Sequence, residues 1–217
     1  VSMEQHQKIG YSKTSSTYIP NGFDYKRFSP SVKYRELYRK KLSISDDAFV
    51  FGSIARFHPM KNHIGLIKEF SLLRNDSILL LIGEGVINKE VKSLILDLKI
   101  KDKVILLTRK EDIYKWIHVI DSLVIPSLWG EAFPNILGEA MSAEIPCIVS
   151  NIGDCSLILG DCGINIEKSI HNSMRQMLDF SIEDRNKLGV AARNRIIKNY
   201  SIPNSTNKYS SLYMSIL

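Results

Sequence analysis

Cysteine is scarce in this 217-residue chain. There are three, Cys147, Cys155 and Cys162. They are an odd set with no close CxxC pair, so neither a disulfide framework nor a zinc knuckle is indicated. Free thiols packed in or near the core are expected instead. Long apolar runs are also missing. The longest uninterrupted one is Ile78 to Ile82, far short of the ~20 residues of a membrane-spanning helix. The opening residues VSMEQHQKIG lack the apolar segment of a signal peptide, and a cytoplasmic protein is expected. The chain starts on Val1 rather than Met, which reads as a processed or truncated product. Internal repeats, low-complexity tracts and Asp-x-Asp triplets are absent. His58, His63 and His118 have no second metal-type ligand at helix spacing, so no metal site is expected.

What is present is the composition of an ordinary globular protein, 44% hydrophobic and 24% charged. That excludes a disordered tail and a collagen-like fibre. The length allows one large domain or two small ones. The formal charge of +6 suggests an anionic partner. However, the positive excess is spread over residues 1–50, 51–109 and 171–217, and residues 110–170 are net acidic. A nucleic-acid footprint concentrates positive charge on one element, so no nucleic-acid partner is expected.

Short runs rich in Ile, Leu and Val occur at residues 49–55, 77–83, 103–107, 122–126 and 146–150. They read as parallel strands buried on both faces. Helical patterns alternate with them at 62–73, 86–98, 113–118 and 135–143. A sixth, weaker strand is expected near 164–166, followed by helices at 170–178, from a Ser181 N-cap to about 198, and at 203–217. Asp184 completes a capping-box-like start. The expected fold is therefore α/β, a Rossmann-like doubly wound parallel sheet of about six strands with a helical C-terminus. Residues 1–30 read as a connecting segment, 31–200 as the α/β domain and 201–217 as a terminal helix.

In such sheets ligands bind beyond the carboxyl ends of the strands. Arg56 and Lys61 follow strand one, the turn Gly83-Glu84-Gly85 follows strand two, and Arg109 follows strand three. After strand four, SLWGEAFPN runs into a helix carrying Glu139. Pro134 suits the first helical turn, which leaves Glu131 in the loop and Glu139 about one turn inside, at the border of the apolar arc. The free N–H groups at that helix start favour an anion. The cations Arg56 and Lys61, small-residue turns and the carboxylates Glu131 and Glu139 are the layout of a phosphate-plus-sugar site. Alternatives remain. GEGVIN with Asp102 is half a dinucleotide fingerprint, pointing to a nucleotide-dependent oxidoreductase, and a non-catalytic basic binding module is a third class.

IPNGFDYKRFSP, RFHPMKN, GEG, PSLWGEAFPNILGEAMSAEIPCIVS and GDCSLILGDCG follow, in order, a pattern that resembles the C-terminal half of family-four retaining glycosyltransferases with the GT-B fold. The resemblance spans Tyr18 to Tyr213 and implies a domain that binds a nucleotide-sugar donor, UDP ahead of GDP, without a metal or other cofactor. It further implies retention of anomeric configuration and a role in bacterial surface polysaccharide synthesis. A saccharide or lipid-linked acceptor would be met by an absent N-terminal domain, against which 201–217 packs, with peripheral contact at the inner face of a membrane. By resemblance, Arg56 and Lys61 bind the diphosphate and Glu139 accepts from ribose hydroxyls. Glu131 holds the transferred sugar, making Arg56, Lys61 and Glu131 the catalytic set. The backbone around Phe133 and Asn135 cradles phosphate and sugar, and 108–110 meets the base. Trp116 and Trp129 are both expected to pack, with Trp129 close enough to the site to shape the pocket. Three positions depart from the family pattern: Glu144 and Thr108 stand where Gly is common, with turn geometry at stake, and Leu157 stands where an acidic residue is common.

Overall fold

The computed structural model describes residues 6–12, 16–73 and 76–216. Strands β1 (Val50–Ile54), β2 (Ile78–Ile82), β3 (Val104–Leu107), β4 (Ser122–Ile125), β5 (Cys147–Ser150) and β6 (Gly163–Ile166) form one parallel sheet in the order β3-β2-β1-β4-β5-β6. The helices are α1 (Val32–Lys41), α2 (His63–Phe70), α3 (Lys89–Asp97), α4 (Ile113–Trp116), α5 (Asn135–Ser142), α6 (Cys155–Leu159), α7 (Ile170–Asp179), α8 (Ile182–Asn199) and α9 (Ile202–Met214).

Successive side chains of a strand point to opposite faces, and each face here has its own core. Leu79 and Leu81 pack with Leu66, Phe70, Val91 and Met174 from α2, α3 and α7. Leu80 and Ile82 pack with Trp116, Leu137, Ile158 and Ile196 from α4, α5, α6 and α8. These β2 residues are at most 1% exposed, and each buried Leu or Ile contributes about 2 kcal/mol. The sheet is thus doubly wound. Its strand order reverses between β1 and β4, so the chain leaves their carboxyl ends in opposite directions and opens a crevice there.

Two helices carry little sequence signal. In α1, Val32 and Leu37 face solvent, and the anchor is Arg39, 1% exposed. Its guanidinium donates to Val119 O at 3.1 Å, to Ser45 O and Asp46 O at 3.2 Å, and to Asp121 Oδ2 at 2.6 Å. Asp121 also accepts from Arg35 and from the Val50 amide. This network ties α1 beneath the amino ends of β1 and β4, at the pole opposite the crevice. The second, α6, is only five residues long.

The predicted Ser181 cap is present: Ser181 Oγ accepts from the Asp184 amide at 3.0 Å and donates to Asp184 Oδ2 at 2.7 Å. At the end of α5, Glu144 adopts φ 60°. The Glu144 amide donates to Met141 O and the Ile145 amide to Ala140 O, completing a Schellman turn without Gly. The expected perturbation therefore does not occur, although the left-handed backbone costs about 1 kcal/mol. Thr108 is not among the described residues with positive φ, so no Gly is required there either.

The loop before α1 is pinned to α9. The Phe23 amide donates to Tyr200 O at 2.7 Å, the Ile202 amide to Phe23 O at 3.2 Å, and Ser205 Oγ to Pro20 O at 2.9 Å. Further along α9 and just beyond it, Tyr209, Tyr213, Met214 and Ile216 are exposed. Among the described residues no helix is long and apolar enough to cross a membrane.

Candidate functional site

The carboxyl ends of β1 to β3 and the start of α5 enclose a cleft of about 700 Å³. Arg56, Gly83, Arg109, Asn135 and Glu139 line it, joined by Glu84, Lys110, Glu111 and Ile136. Five of the eight predicted site residues thus share one cavity.

Its floor depends on Gly83. The Gly83 amide donates to Leu107 O at 3.0 Å, and a Cβ on Gly83 would lie 1.8 Å from Ala55 O. No side chain fits between the ends of β1 and β2. Pairing continues past both strands, with the Ala55 amide on Ile82 O and the Phe57 amide on Glu84 O. Arg56 is held between these two bonds by its backbone, while its side chain is exposed and has no ion-pair partner among the described residues. At the other wall, α5 starts at Pro134 with no side-chain cap, leaving N–H donors at Asn135 and Ile136 for an anion. Glu139 is half-buried one turn further on. Burial pushes its carboxyl above the ordinary range, and the charge of Arg27 pulls it back.

Lys61 and Glu131 do not line this cleft. Lys61 Nζ sits 2.5 Å from Glu131 Oε1, which also accepts from Ser127 Oγ at 2.5 Å. Lys61 borders a small adjoining cavity of about 20 Å³ that shares Ile54, Ala55 and Ile136 with the cleft. The pair is framed by interlocked loops. Asn62, at φ 54°, donates from Nδ2 to Pro126 O at 3.2 Å, and the Leu128 amide donates to Met60 O at 2.9 Å. Gly153 takes φ 59° against Glu131, where a Cβ would lie 1.6 Å from the Glu131 carbonyl oxygen.

Phe133 turns its side chain away from the cleft. The ring stacks on Phe23 at 5.6 Å and meets Tyr200 edge-on at 5.8 Å. Trp129 is exposed and outside the cleft lining, so the expectation that it packs, close enough to shape the pocket, is corrected on both counts. Trp116 is buried and donates to Asp112 Oδ1 at 3.1 Å. The buried imidazoles of His63 and His118 are pushed down to about 4 by desolvation. No group of three or more His, Cys, Asp or Glu gathers as a metal-type cluster among the described residues. Asp102 lies in the 3-10 turn Lys101–Lys103 before β3, at the amino end of the sheet. It therefore cannot complete a dinucleotide fingerprint with Gly83 and Gly85. Sequence reasoning missed Glu111, which borders the segment 108–110, and Arg27, which lies within IPNGFDYKRFSP with no periodic signal to single it out.

Comparison with known proteins adds four findings. The family model described as glycosyl transferases group 1 matches residues 34–199. The UDP-Gal:alpha-D-GlcNAc-diphosphoundecaprenol alpha-1,3-galactosyltransferase of Escherichia coli is 30% identical over 209 residues, covering 92% of this chain and 54% of that protein. Among solved structures, Anabaena HepE in complex with UDP and glucose superposes with a TM-score of 0.90 at 19% identity, over 99% of this chain and 61% of that one. The C-terminal domain of LpcC, a glycosyl transferase group 1 family protein from Francisella tularensis, superposes with a TM-score of 0.72 at 21% identity, over 83% of this chain and all of that one. The chain spans about half the length of the Escherichia coli relative.

Proposed function

The chain belongs to the group 1 glycosyl transferases, and from that membership we propose that it is the donor-binding domain of a retaining transferase that moves a sugar from a nucleoside diphosphate to an acceptor hydroxyl. One observation carries the reading: a single cleft at the switch point of the sheet has a free guanidinium and an uncapped helix start at hand for phosphate, and the half-buried carboxylate of Glu139 for ribose.

Transfer breaks the bond between the anomeric carbon and the diphosphate oxygen, and the electron pair leaves with the diphosphate. The acceptor oxygen bonds to the anomeric carbon, and its proton passes to the oxygen of the leaving diphosphate. The growing negative charge falls to Arg56, whose fork matches phosphate oxygens, and to Lys61. An ammonium has three donors; Glu131 uses one and fixes the direction of the others. These protein cations are proposed to do the work without a metal. Losing either slows the complete enzyme about 100-fold or more. Glu131, next to the cleft, is assigned to the transferred sugar.

UDP is placed ahead of GDP as the nucleotide, supported by the names of the Escherichia coli relative and the Anabaena structure. We place the acceptor, a saccharide on a lipid diphosphate, on the part of the longer relatives that this chain does not match. A transferase of bacterial surface polysaccharide, working at the cytoplasmic face of a membrane, fits that acceptor. Calorimetric titration of the chain with UDP, GDP, ADP and NAD tests the reading. A nucleoside diphosphate should bind and NAD should not. Preference for NAD, or salt-sensitive binding of DNA without nucleotide binding, overturns it.

A further inference from the structure

We propose that the hollow between the end of α8 and the start of α9 is a second anion site, outside the nucleotide cleft, that takes a phosphate or diphosphate group. The proposal does not rest on the donor reading, since the hollow and the cleft share no lining residue.

The hollow has a volume of about 470 Å³. Arg195, Lys198 and Lys208 line it beside Asn199, Tyr200 and Asn204, and no carboxylate does. None of the three cations has an ion-pair partner among the described residues. A concave surface lined by charge of one sign focuses its field and draws a counter-ion. Asp154 lines the adjoining hollow, which shares Tyr18 and Pro20, and not this one.

Arg195 is fixed in place. Its Nε donates to Ile158 O and its Nη2 to Leu157 O, both at 2.8 Å, and the guanidinium lies 5.9 Å from the centre of the Tyr200 ring. Gly160, at φ 58°, leaves the room it occupies: a Cβ there would stand 2.6 Å from Arg195 Cζ. A guanidinium has five N–H donors. Those beyond the two already used remain for phosphate oxygens, which a planar fork matches.

The lysines are not needed at the helix terminus. Cations gather at a helix end because its last carbonyls lack partners. Here the Tyr200 amide donates to Ile196 O at 2.8 Å, and Asn204 Nδ2 donates to Ile197 O at 3.2 Å and to Lys198 O at 2.6 Å. The end of α8 is therefore satisfied, and Lys198 and Lys208, one from each helix, stand exposed at the hollow. Leu157 completes the lining. It stands where the family pattern commonly has an acidic residue, and its exposed apolar side chain leaves the three charges uncancelled.

The experiment is a titration of the 217-residue chain with sodium pyrophosphate, read by NMR at the Arg195 Nε–H and at the backbone amides between 198 and 208. These signals should move saturably and independently of those of Arg56 and Asn135 in the cleft, and high salt should weaken the binding. Lys198→Gln combined with Lys208→Gln should weaken it about tenfold, and Leu157→Glu should abolish it by supplying a carboxylate to the cations. All three side chains are exposed, so the fold and UDP affinity should be unchanged in these variants. Unmoved signals at Arg195 and between 198 and 208 overturn the proposal, as does binding there that Leu157→Glu leaves intact. Vesicles then distinguish a lipid-borne phosphate from a soluble one. Cosedimentation with phosphatidylglycerol but not phosphatidylcholine vesicles, lost in Leu157→Glu, assigns the group to a lipid; pyrophosphate binding without vesicle binding assigns it to a soluble phosphate compound.

Discussion

Lys61 and Glu131, seventy positions apart, meet at 2.5 Å across the loops that follow β1 and β4. The Glu131 carboxylate is nearly buried and the Lys61 ammonium mostly so, their side chains being 5% and 20% exposed. Removing one partner strands the other in a low-dielectric setting. Lys61→Met should therefore cost about 1–3 kcal/mol in urea unfolding. Pairing it with Glu131→Gln should recover part of that loss, because the stranded charge is gone. Equal and additive losses would mean that the pair is not coupled.

Arg56 should behave differently. Its side chain is exposed, so Arg56→Ala should leave stability within about 0.5 kcal/mol. Nucleoside diphosphate binding should weaken tenfold or more, the value of a charge-assisted hydrogen bond. Unfolding and calorimetry on the same variant separate the two effects.

Gly83→Ala places a methyl group 1.8 Å from Ala55 O. The backbone of β1 or β2 must move, at about 1–3 kcal/mol, and the cleft floor moves with it. Lower stability together with weaker nucleotide binding is expected, in contrast to Arg56→Ala.

Acid should weaken the fold through two imidazoles. His63 and His118 are held to about 4 against an ordinary 6.5, so below pH 6.5 the unfolded chain takes up protons that the folded chain refuses. Stability then falls with pH across the window from about 6.5 to about 4, by roughly 1–2 kcal/mol per imidazole at pH 5. Glu139 acts in the opposite sense. Its raised carboxyl contributes stability that is present at low pH and is lost as pH rises through its folded value. Neither His63 nitrogen has a hydrogen-bond partner among the described residues. His63→Phe should therefore flatten the dependence of urea midpoint on pH while costing little at pH 7.5. An unchanged slope would contradict the assignment.

The sheet was legible because parallel strands buried on both faces, such as Ile78–Ile82, read as continuous apolar runs. Arg56, Gly83, Arg109, Asn135 and Glu139 were locatable because each sits where a strand ends or a helix begins. Helix α1 was not, since a buried Arg39 bonded to Asp121 leaves the same charged pattern as a solvated helix. Nor could spacing foresee that Lys61 turns to Glu131 instead of lining the cleft, or that the Phe133 side chain serves packing. Both depend on contacts between distant loops. Glu144 shows the converse: the sequence suggested a disturbed turn, and the amides of Glu144 and Ile145 close a Schellman turn regardless.

The central claim, that one cleft binds phosphate through Arg56 and ribose through Glu139, is tested most directly by calorimetry of UDP with the chain and with Glu139→Gln at pH 8. The account predicts measurable binding that drops at least tenfold in Glu139→Gln, the loss of a charged acceptor at a buried hydrogen bond. Equal UDP affinity in the two proteins would contradict it.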